Sequence, residues 1–185
     1  MSRSSSLKKQ KKVDPENALI EKALKVSDRI QFEDVYLLGN TCKWKSFASD
    51  KENNFKVDNV AQGSLSNDKQ NLLSIVNFVV DMQNEDNTSI AEISVDYLLV
   101  YSIKDTKGLT KKHYDAFSTY NAVFNAWPYL REFIQNITSR MQIPTLTLPV
   151  YRFGNEGLLQ TKDYAINSED NKPKRKKIKT KTVKK

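Results

Sequence analysis

The clearest pattern of hydrophobic and polar positions lies in the middle of the chain, over residues 90–103. Every second position there is apolar, and the positions between them begin as charged or hydroxyl side chains. The apolar row consists of Ala91, Ile93, Val95, Tyr97, Leu99, Tyr101 and Ile103. Because side chains alternate between the two faces of a strand, this period of two predicts a strand with one face in the core.

Three weaker alternations precede this strand, over 29–48, 55–60 and 71–83. The first is broken after Phe32 and again near Gly39, which indicates a bulge or a bend in a long strand. The third has apolar residues at both parities, as expected of a strand that is covered on both faces. The pattern therefore predicts four strands in succession.

The period becomes helical after Gly108. Apolar residues then recur three and four positions apart, which forms an a/d seam along one side of a helix. The seam consists of Tyr120, Val123, Trp127, Leu130, Ile134, Ile137 and Met141. Pro128 lacks a backbone donor, so we expect the helix to kink or restart there. Pro144 is expected to end the helix, and residues 145–151 alternate as an extended segment.

A shorter helix is predicted after Pro15, over residues 16–26. Strands that are followed by a helix are typical of an α+β fold with an antiparallel sheet. The sequence therefore predicts a four-stranded antiparallel sheet with one long C-terminal helix. The helical seam and the two-sided third strand together require more burial than one small monomer provides, which favours self-association.

Positive charge is concentrated at the two ends of the chain. Residues 1–12 carry five basic side chains and residues 172–185 carry nine, with no acidic residue in either stretch. Without these fourteen charges, the formal net charge of +8 becomes −6 for the remainder. We therefore divide the chain into a disordered basic tail at 1–14, a folded domain at 15–153 and a weakly structured to disordered basic tail at 154–185.

This charge distribution bears on nucleic-acid binding. A nucleic-acid-binding fold normally carries its positive charge on the folded body, so the middle of the chain does not favour that role. The C-terminal tail could nevertheless bind nucleic acid or another anionic surface by electrostatic attraction.

Candidate catalytic chemistry is sparse. His113 is the only histidine, and its charged surroundings are typical of an exposed helix start, which favours a capping or solvent-facing role over that of a general base. The five glycines form no phosphate-binding loop. Cys42 is the only cysteine, which excludes an intrachain disulfide and a cysteine-based zinc site. We predict a protein that is not an enzyme and has no metal and no cofactor.

The cellular location is also predicted from the sequence. The first residues are charged and lack the apolar centre of a secretory signal. No apolar run reaches the ~20 residues that span a bilayer. We therefore expect a cytoplasmic protein.

The stretch from Tyr120 to Tyr151 resembles the long-helix region of the SecB family of chaperones. In that family an aromatic-Pro-Tyr-x-Arg-Glu core leads to a Ser-Arg helix end and then to a Leu-x-Leu-x-Pro pattern. The matching residues are Trp127, Pro128, Tyr129, Arg131, Glu132, Ser139, Arg140, Pro144, Leu146, Leu148 and Pro149. The resemblance is closest to the divergent branch that includes chaperones of toxin–antitoxin systems. Outside this stretch it rests on the order of the strands alone.

The resemblance implies an ATP-independent holdase that binds unfolded polypeptides, either export precursors or an antitoxin. It also implies a homotetramer, built as a dimer of dimers, in which the long helices lie between sheets. By resemblance, the client groove uses the first strands and their crossover. The groove residues predicted in this way are Trp44, Phe47, Phe55, Val57 and Val60, each of which has ordinary core packing as its alternative.

The basic C-terminal end keeps other interpretations open. Export members of the family engage the SecA motor through an acidic or polar tail, whereas residues 172–185 are basic. This departure favours an antitoxin-linked or general holdase role over SecA as a partner. The alternative function is that of a nucleic-acid-binding or scaffold protein that acts through the basic tail.

Overall fold

The computed structural model describes residues 15–46 and 53–151. The elements in chain order are α1 (Pro15–Ser27), β1 (Ile30–Trp44), β2 (Asn53–Leu65), β3 (Asn71–Asn84), β4 (Ser89–Ile103), α2 (Lys111–Phe117), a π-helical segment (Ser118–Ala122) and α3 (Val123–Arg140). The four predicted strands, the short first helix and the long C-terminal helix are confirmed. The second strand is longer than its weak pattern indicated.

The four strands form one antiparallel sheet in the order β1-β4-β3-β2. Strands β4 and β3 are central, and β1 and β2 are the edges. The connection between β1 and β2 therefore leads from one edge of the sheet to the other, and its residues 47–52 lie outside the described residues. The predicted α+β class, with a four-stranded antiparallel sheet and a long C-terminal helix, is confirmed.

One side of the sheet faces the helices and contains the core. All seven apolar residues of the alternating row in β4 are buried on this side. In β3 the even-numbered residues from Leu72 to Met82 pair with that row and are fully buried. The predicted core-facing strand is confirmed, and the even-numbered residues of β3 add a second buried row beside it.

Strand β1 contains two register shifts, between Phe32 and Asp34 and between Leu37 and Gly39. Each shift places an extra residue opposite β4 and reverses the parity of the side chains that follow. The predicted irregularities after Phe32 and near Gly39 are therefore confirmed. As a result, the residues of β1 that share the helix-facing side are Ile30, Phe32, Val35, Leu37, Asn40, Cys42 and Trp44.

The helical layer is continuous from α2 through the π-helical segment into α3. Pro128 lies inside α3, which continues through it, so the helix does not restart there. A kink at Pro128 stays a prediction. Both Phe124 and Pro128 are on the exposed side of the helix. The irregular turn occurs upstream, where Ser118 Oγ and Ser74 Oγ form a buried hydrogen bond of 2.8 Å.

The predicted seam of the long helix faces the sheet of its own protomer. Val123, Trp127, Leu130 and Ile134 are buried in the core, and Trp127 packs edge-to-face against Phe78 at 6.1 Å between ring centroids. The remaining seam residues, Tyr120, Ile137 and Met141, are half-buried. A contact between this seam and a second copy stays a prediction.

The opposite side of the sheet, here called the outer face, carries no helix among the described residues. Leu73, Ile75 and Val79 of β3 are only partly covered there, although the pattern predicted that both faces of this strand are covered. In the two edge strands, Tyr36 of β1 and Val60 of β2 are exposed on the same face. The described part of the chain therefore leaves apolar surface of the sheet uncovered.

Gly63 in β2 marks the closest approach between the helical layer and the sheet. A Cβ atom at this position would lie 2.6 Å from both the Tyr114 carbonyl oxygen and Ser118 Oγ. We expect Gly63→Ala to lower the free energy of unfolding by about 1–3 kcal/mol, because the backbone of α2 must move away. Denaturant unfolding measures this change.

Gly39→Ala is the matched control, since a Cβ atom there would meet only Asp96 Oδ2, at 4.0 Å. We expect this variant to be as stable as the original chain or slightly more stable, because alanine restricts the unfolded backbone. Equal losses of stability in the two variants would contradict the close packing of α2 on β2.

Candidate functional site

The wall of the candidate site is built by the extended segment 144–151, which packs back against α3. The side chains of Leu146 and Leu148 are fully buried. Three side chains of α3 form hydrogen bonds with the backbone of this segment. Thr138 Oγ1 accepts from the Leu146 N–H at 3.1 Å. Arg131 Nε donates to the Leu148 carbonyl at 2.7 Å, and Trp127 Nε1 donates to the Pro149 carbonyl at 2.8 Å. These contacts fix the segment along one side of the helix.

An aromatic cluster joins the end of this segment to the core. The ring of Tyr151 lies 5.0 Å from that of Trp127 and 5.9 Å from that of Phe124, measured between centroids. Trp127 in turn contacts Phe78 of β3. Since such tilted and edge-to-face pairs stabilise beyond simple area burial, Tyr151 is held firmly at the surface end of the cluster.

A groove of about 400 Å³ opens between α3, the end of the extended segment and β1. Its exposed apolar side chains are Phe32, Phe124, Tyr129 and Val150, with exposed fractions between 40% and 61%. The other residues that line it are Asn125, Trp127, Pro128, Arg131 and Tyr151. This volume lies in the range of ~300–1,000 Å³ that is typical of ligand sites.

Two polar side chains of the groove make structural contacts. Asn125 Nδ2 donates to the Tyr101 hydroxyl at 3.1 Å, and Arg131 Nε donates to the Leu148 carbonyl at 2.7 Å. Burial raises the pKa of Tyr101 to about 12, with the Asn125 hydrogen bond acting in the opposite direction, so this hydroxyl stays protonated at neutral pH. Within the described part of the chain, the groove lining contains no carboxylate, histidine or cysteine. The exposed surface of the groove is mainly apolar, from Phe32, Phe124 and Val150.

The edge strand β1 extends this apolar surface beyond the groove. Of the thirteen exposed large apolar side chains in the described part of the chain, five belong to β1: Phe32, Tyr36, Leu37, Leu38 and Trp44. Phe32 is shared with the groove. The outer edge of β1 has no strand neighbour among the described residues, so its backbone donors and acceptors are open to pairing.

The groove residues predicted from the sequence are not brought together. Trp44 is 54% exposed on β1, while Val60 is 71% exposed on the outer face of β2, at the other edge of the sheet. Phe55 and Val57 pair with Met82 and Val80 and are buried in the core. Phe47 lies outside the described residues.

The burial of Phe55 and Val57 agrees with the core alternative that the pattern left open, because strand parity turns both side chains toward the helices. In this conformation Phe55 is 3% exposed and Val57 is 7% exposed. A client-binding role for any of the five predicted residues stays a prediction.

The sequence did not single out Phe32, Phe124, Tyr129 and Val150 as groove residues. A signal was available for two of them, because Phe124 and Tyr129 are large aromatic residues outside the buried seam of α3, on either side of Pro128. Nothing in the local pattern shows that Phe32 and Val150 lie beside them, since that proximity arises from the sheet order and the chain reversal after α3.

The candidate catalytic groups lie away from the groove. His113 sits in the first turn of α2, where its Nδ1 accepts a hydrogen bond from the Thr110 N–H at 3.1 Å, so the capping interpretation is confirmed. Burial raises the pKa of the Cys42 thiol. Within residues 15–46 and 53–151, no three metal-binding side chains cluster, and no helix is long and apolar enough to cross a membrane.

A four-stranded antiparallel sheet with a long C-terminal helix on one side defines the SecB-like fold. The structure is similar to that of Mycobacterium tuberculosis Rv1957, a SecB-like chaperone solved in complex with a ChAD peptide from the Rv1956 HigA1 antitoxin. The TM-score is 0.65 at 16% sequence identity, covering 72% of this chain and 98% of that chain. At this identity the likeness establishes the fold.

A second solved structure, a protein of unknown function from Streptococcus agalactiae, has a TM-score of 0.40 at 10% identity and covers 65% of this chain and 96% of that chain. A score this low does not define a shared fold. No family model matches the sequence, and no curated protein matches it.

The hydrogen bond between Arg131 and the Leu148 carbonyl tests how the groove wall is held. We expect Arg131→Met to speed backbone amide exchange in residues 145–151 and to cost about 1–3 kcal/mol of stability, because a buried carbonyl loses its partner. Hydrogen–deuterium exchange with peptide resolution measures both effects. Arg140→Met, at the exposed last turn of α3, is the control. Unchanged exchange in Arg131→Met would contradict the proposed attachment.

Proposed function

We propose that this protein is an ATP-independent holdase chaperone that binds unfolded polypeptide segments. The observation that carries this proposal is the groove beside Phe32, Phe124 and Val150, which continues into the exposed apolar edge of β1. A bound segment would bury its apolar side chains in the groove and against the helix-facing side of β1. The antitoxin peptide bound to Rv1957, a protein of the same fold, supports a peptide-binding role.

We expect weak and reversible binding at a single groove. If a bound segment buried roughly 400 Å² of apolar surface, it would gain about 10 kcal/mol at ~25 cal/mol per Å². The loss of translational and rotational freedom and the ordering of the segment cost about 4–15 kcal/mol. One groove therefore holds one segment loosely, and tight capture of a long chain requires several grooves at once.

The proposal includes no chemical step and no cofactor. The groove offers apolar side chains, and the side chains of Asn125 and Arg131 make structural hydrogen bonds within the chain. We place the protein in the cytoplasm, a reducing compartment in which a single thiol such as Cys42 stays free.

We further propose that identical copies assemble as a dimer of dimers. Most of the helical seam is buried against the sheet of the same copy, so we propose that assembly uses surface that the described part of the chain leaves exposed. The edge of β1 provides such a surface, because it has no strand neighbour within the described residues and carries the exposed Leu37 and Leu38. Two such edges can pair antiparallel about a two-fold axis.

The client class remains a choice between an antitoxin and export precursors. The structural likeness to an antitoxin-binding chaperone favours the antitoxin, and the basic end of this chain disfavours SecA as a partner. A neighbouring toxin–antitoxin gene pair would support the first choice.

The alternative function, binding of nucleic acid through residues 172–185, predicts that binding weakens steeply with salt and is lost when those residues are deleted.

Changing the groove is expected to reduce holdase activity without unfolding the protein. In the double variant Phe124→Ser/Val150→Ser, about three- to tenfold more chaperone should be needed to suppress aggregation of denatured clients, because apolar contact surface is lost. Light scattering of several unrelated clients in nucleotide-free buffer measures this effect.

Leu24→Ser is the matched control, since Leu24 is a similarly exposed apolar residue of α1 outside the groove. A parallel variant, Trp44→Ala/Val60→Ser, tests the residues that the sequence predicted. A wild-type protein that leaves every client aggregating would contradict the proposed function, and so would a control variant as impaired as the groove variant.

The assembly proposal is tested at Leu38, an exposed residue at the second register shift of β1. We expect Leu38→Lys to shift the protein to a smaller oligomer, because a lysine on an edge strand opposes pairing with another edge. Sedimentation velocity measures the change, with Leu24→Lys as the control for charge. A monomeric wild-type protein, or a variant that remains fully tetrameric, would contradict assembly through β1.

A further inference from the structure

Positive charge on the folded domain is concentrated in one place. Of the thirteen lysines and arginines within residues 15–46 and 53–151, seven belong to two segments that are far apart in sequence, 22–29 and 104–112. These seven residues, here called the basic corner, are Lys22, Lys25, Arg29, Lys104, Lys107, Lys111 and Lys112. The described part of the chain has fifteen acidic residues and thirteen basic ones, so its formal net charge is slightly negative. The basic corner is therefore a local excess of positive charge.

Backbone and side-chain contacts join the two segments. The Lys104 N–H donates to the Arg29 carbonyl at 2.8 Å, and Arg29 Nη1 donates to the Lys107 carbonyl at 2.7 Å. Helix α1 packs along α2, so that Lys22 and Lys112 line the same cleft of about 200 Å³. The basic corner is thus a product of the tertiary fold.

The charge of the corner is only partly neutralised. Asp105 pairs with Arg29 at 3.3 Å, and Asp115 pairs with Lys111 at 2.6 Å. Lys22, Lys25 and Lys112 have no ion-pair partner within the described part of the chain. His113 directly follows Lys112 in α2. Burial together with the charges of Lys25, Lys22 and Arg29 lowers its pKa, as expected in a positive potential.

The basic corner adjoins the groove along the long helix. Tyr120 lines the cleft with Lys22 and Lys112, and Phe124 lines the groove four residues further on. Four residues correspond to about one helical turn, roughly 5–6 Å. Tyr120 is also close enough to Tyr151 of the groove to help raise the pKa of the Tyr151 hydroxyl, after the larger effect of burial. An extended chain in the groove can therefore reach the corner within a few residues.

We propose that the basic corner selects client segments in which carboxylate side chains flank the apolar stretch that occupies the groove. This inference rests on the proposed holdase function and adds a chemical preference to the same site. Acidic flanking residues would face Lys22, Lys25 and Lys112, and an apolar side chain of the flank would contact Leu19 in the cleft. Electrostatic attraction of this kind increases the association rate and the specificity for clients that carry these flanks.

The surroundings of the corner favour an acidic polypeptide over a nucleic acid. Glu21, Asp28, Asp105 and Asp115 are interspersed among the basic residues and would repel a continuous phosphate backbone. A polypeptide can place single carboxylates opposite single lysines and avoid these positions. The cleft also has an apolar side, formed by Leu19 and Ala116, which suits a peptide side chain.

The test uses the full chain and three fluorescent synthetic peptides with one apolar core of six residues, flanked by Glu, Gln or Lys. By fluorescence anisotropy at low salt, the Glu-flanked peptide should bind about three- to thirtyfold more tightly than the Gln-flanked peptide. This difference should shrink at high salt, because exposed charges are screened.

The variant Lys22→Gln/Lys112→Gln should remove the preference for the Glu flanks and leave the affinity for the Gln-flanked peptide unchanged. Lys43→Gln/Lys56→Gln is the matched control, with the same change in charge at exposed positions on the sheet. In the control variant the preference should persist. The basic tail at 172–185 is present in every variant, so a preference that comes from the tail would survive in the corner variant.

The outcomes separate this inference from the proposed function. If none of the three peptides binds, the proposed function fails. If all three bind with equal affinity, or if the corner variant keeps the preference, the inference is overturned and the holdase function stands. Displacement of the Glu-flanked peptide by a single-stranded oligouridylate whose own binding is lost in the corner variant would assign the corner to nucleic acid and would also overturn the inference.

Discussion

The structure depends on one constraint: a single helical layer covers one side of a four-stranded sheet and covers its first strand only in part. The layer buries the helix-facing side of β3 and β4 and packs closely on β2 at Gly63. On the same side of β1, Ile30, Val35 and Cys42 are half-buried against the core. Leu37 and Trp44, which face the same way, are exposed. The groove, the open edge and the apolar outer face are all consequences of this incomplete cover.

The chain reverses direction after α3, and the extended segment 144–151 that follows forms one wall of the groove. Thr138, Arg131 and Trp127 hold the backbone of the extended segment, and its two buried leucines complete the core. What remains above them is a groove with exposed apolar rings, one wall of which is held by these hydrogen bonds. A wall that is already ordered reduces the ordering cost of binding.

The fold was largely accessible from the sequence because its periods are strong. The seven-residue row of β4 and the seam of α3 each predicted a buried face, and the slips in β1 predicted its register shifts. The site was much less accessible. Phe55 and Val57 carry the same alternation whether they line a groove or a core, and Phe32 meets Val150 only through the sheet order and the chain reversal. Local periodicity contains no information on contacts between residues that are distant in sequence.

The central claim is that an unfolded chain binds along the uncovered side of β1 and the adjoining groove. Hydrogen–deuterium exchange of the intact protein, with and without a chemically denatured client, tests it most directly. The account predicts slower exchange in peptides that cover residues 30–44, 124–131 and 145–151, with little change in the buried strand β3. Client binding that leaves all three regions unchanged would contradict it.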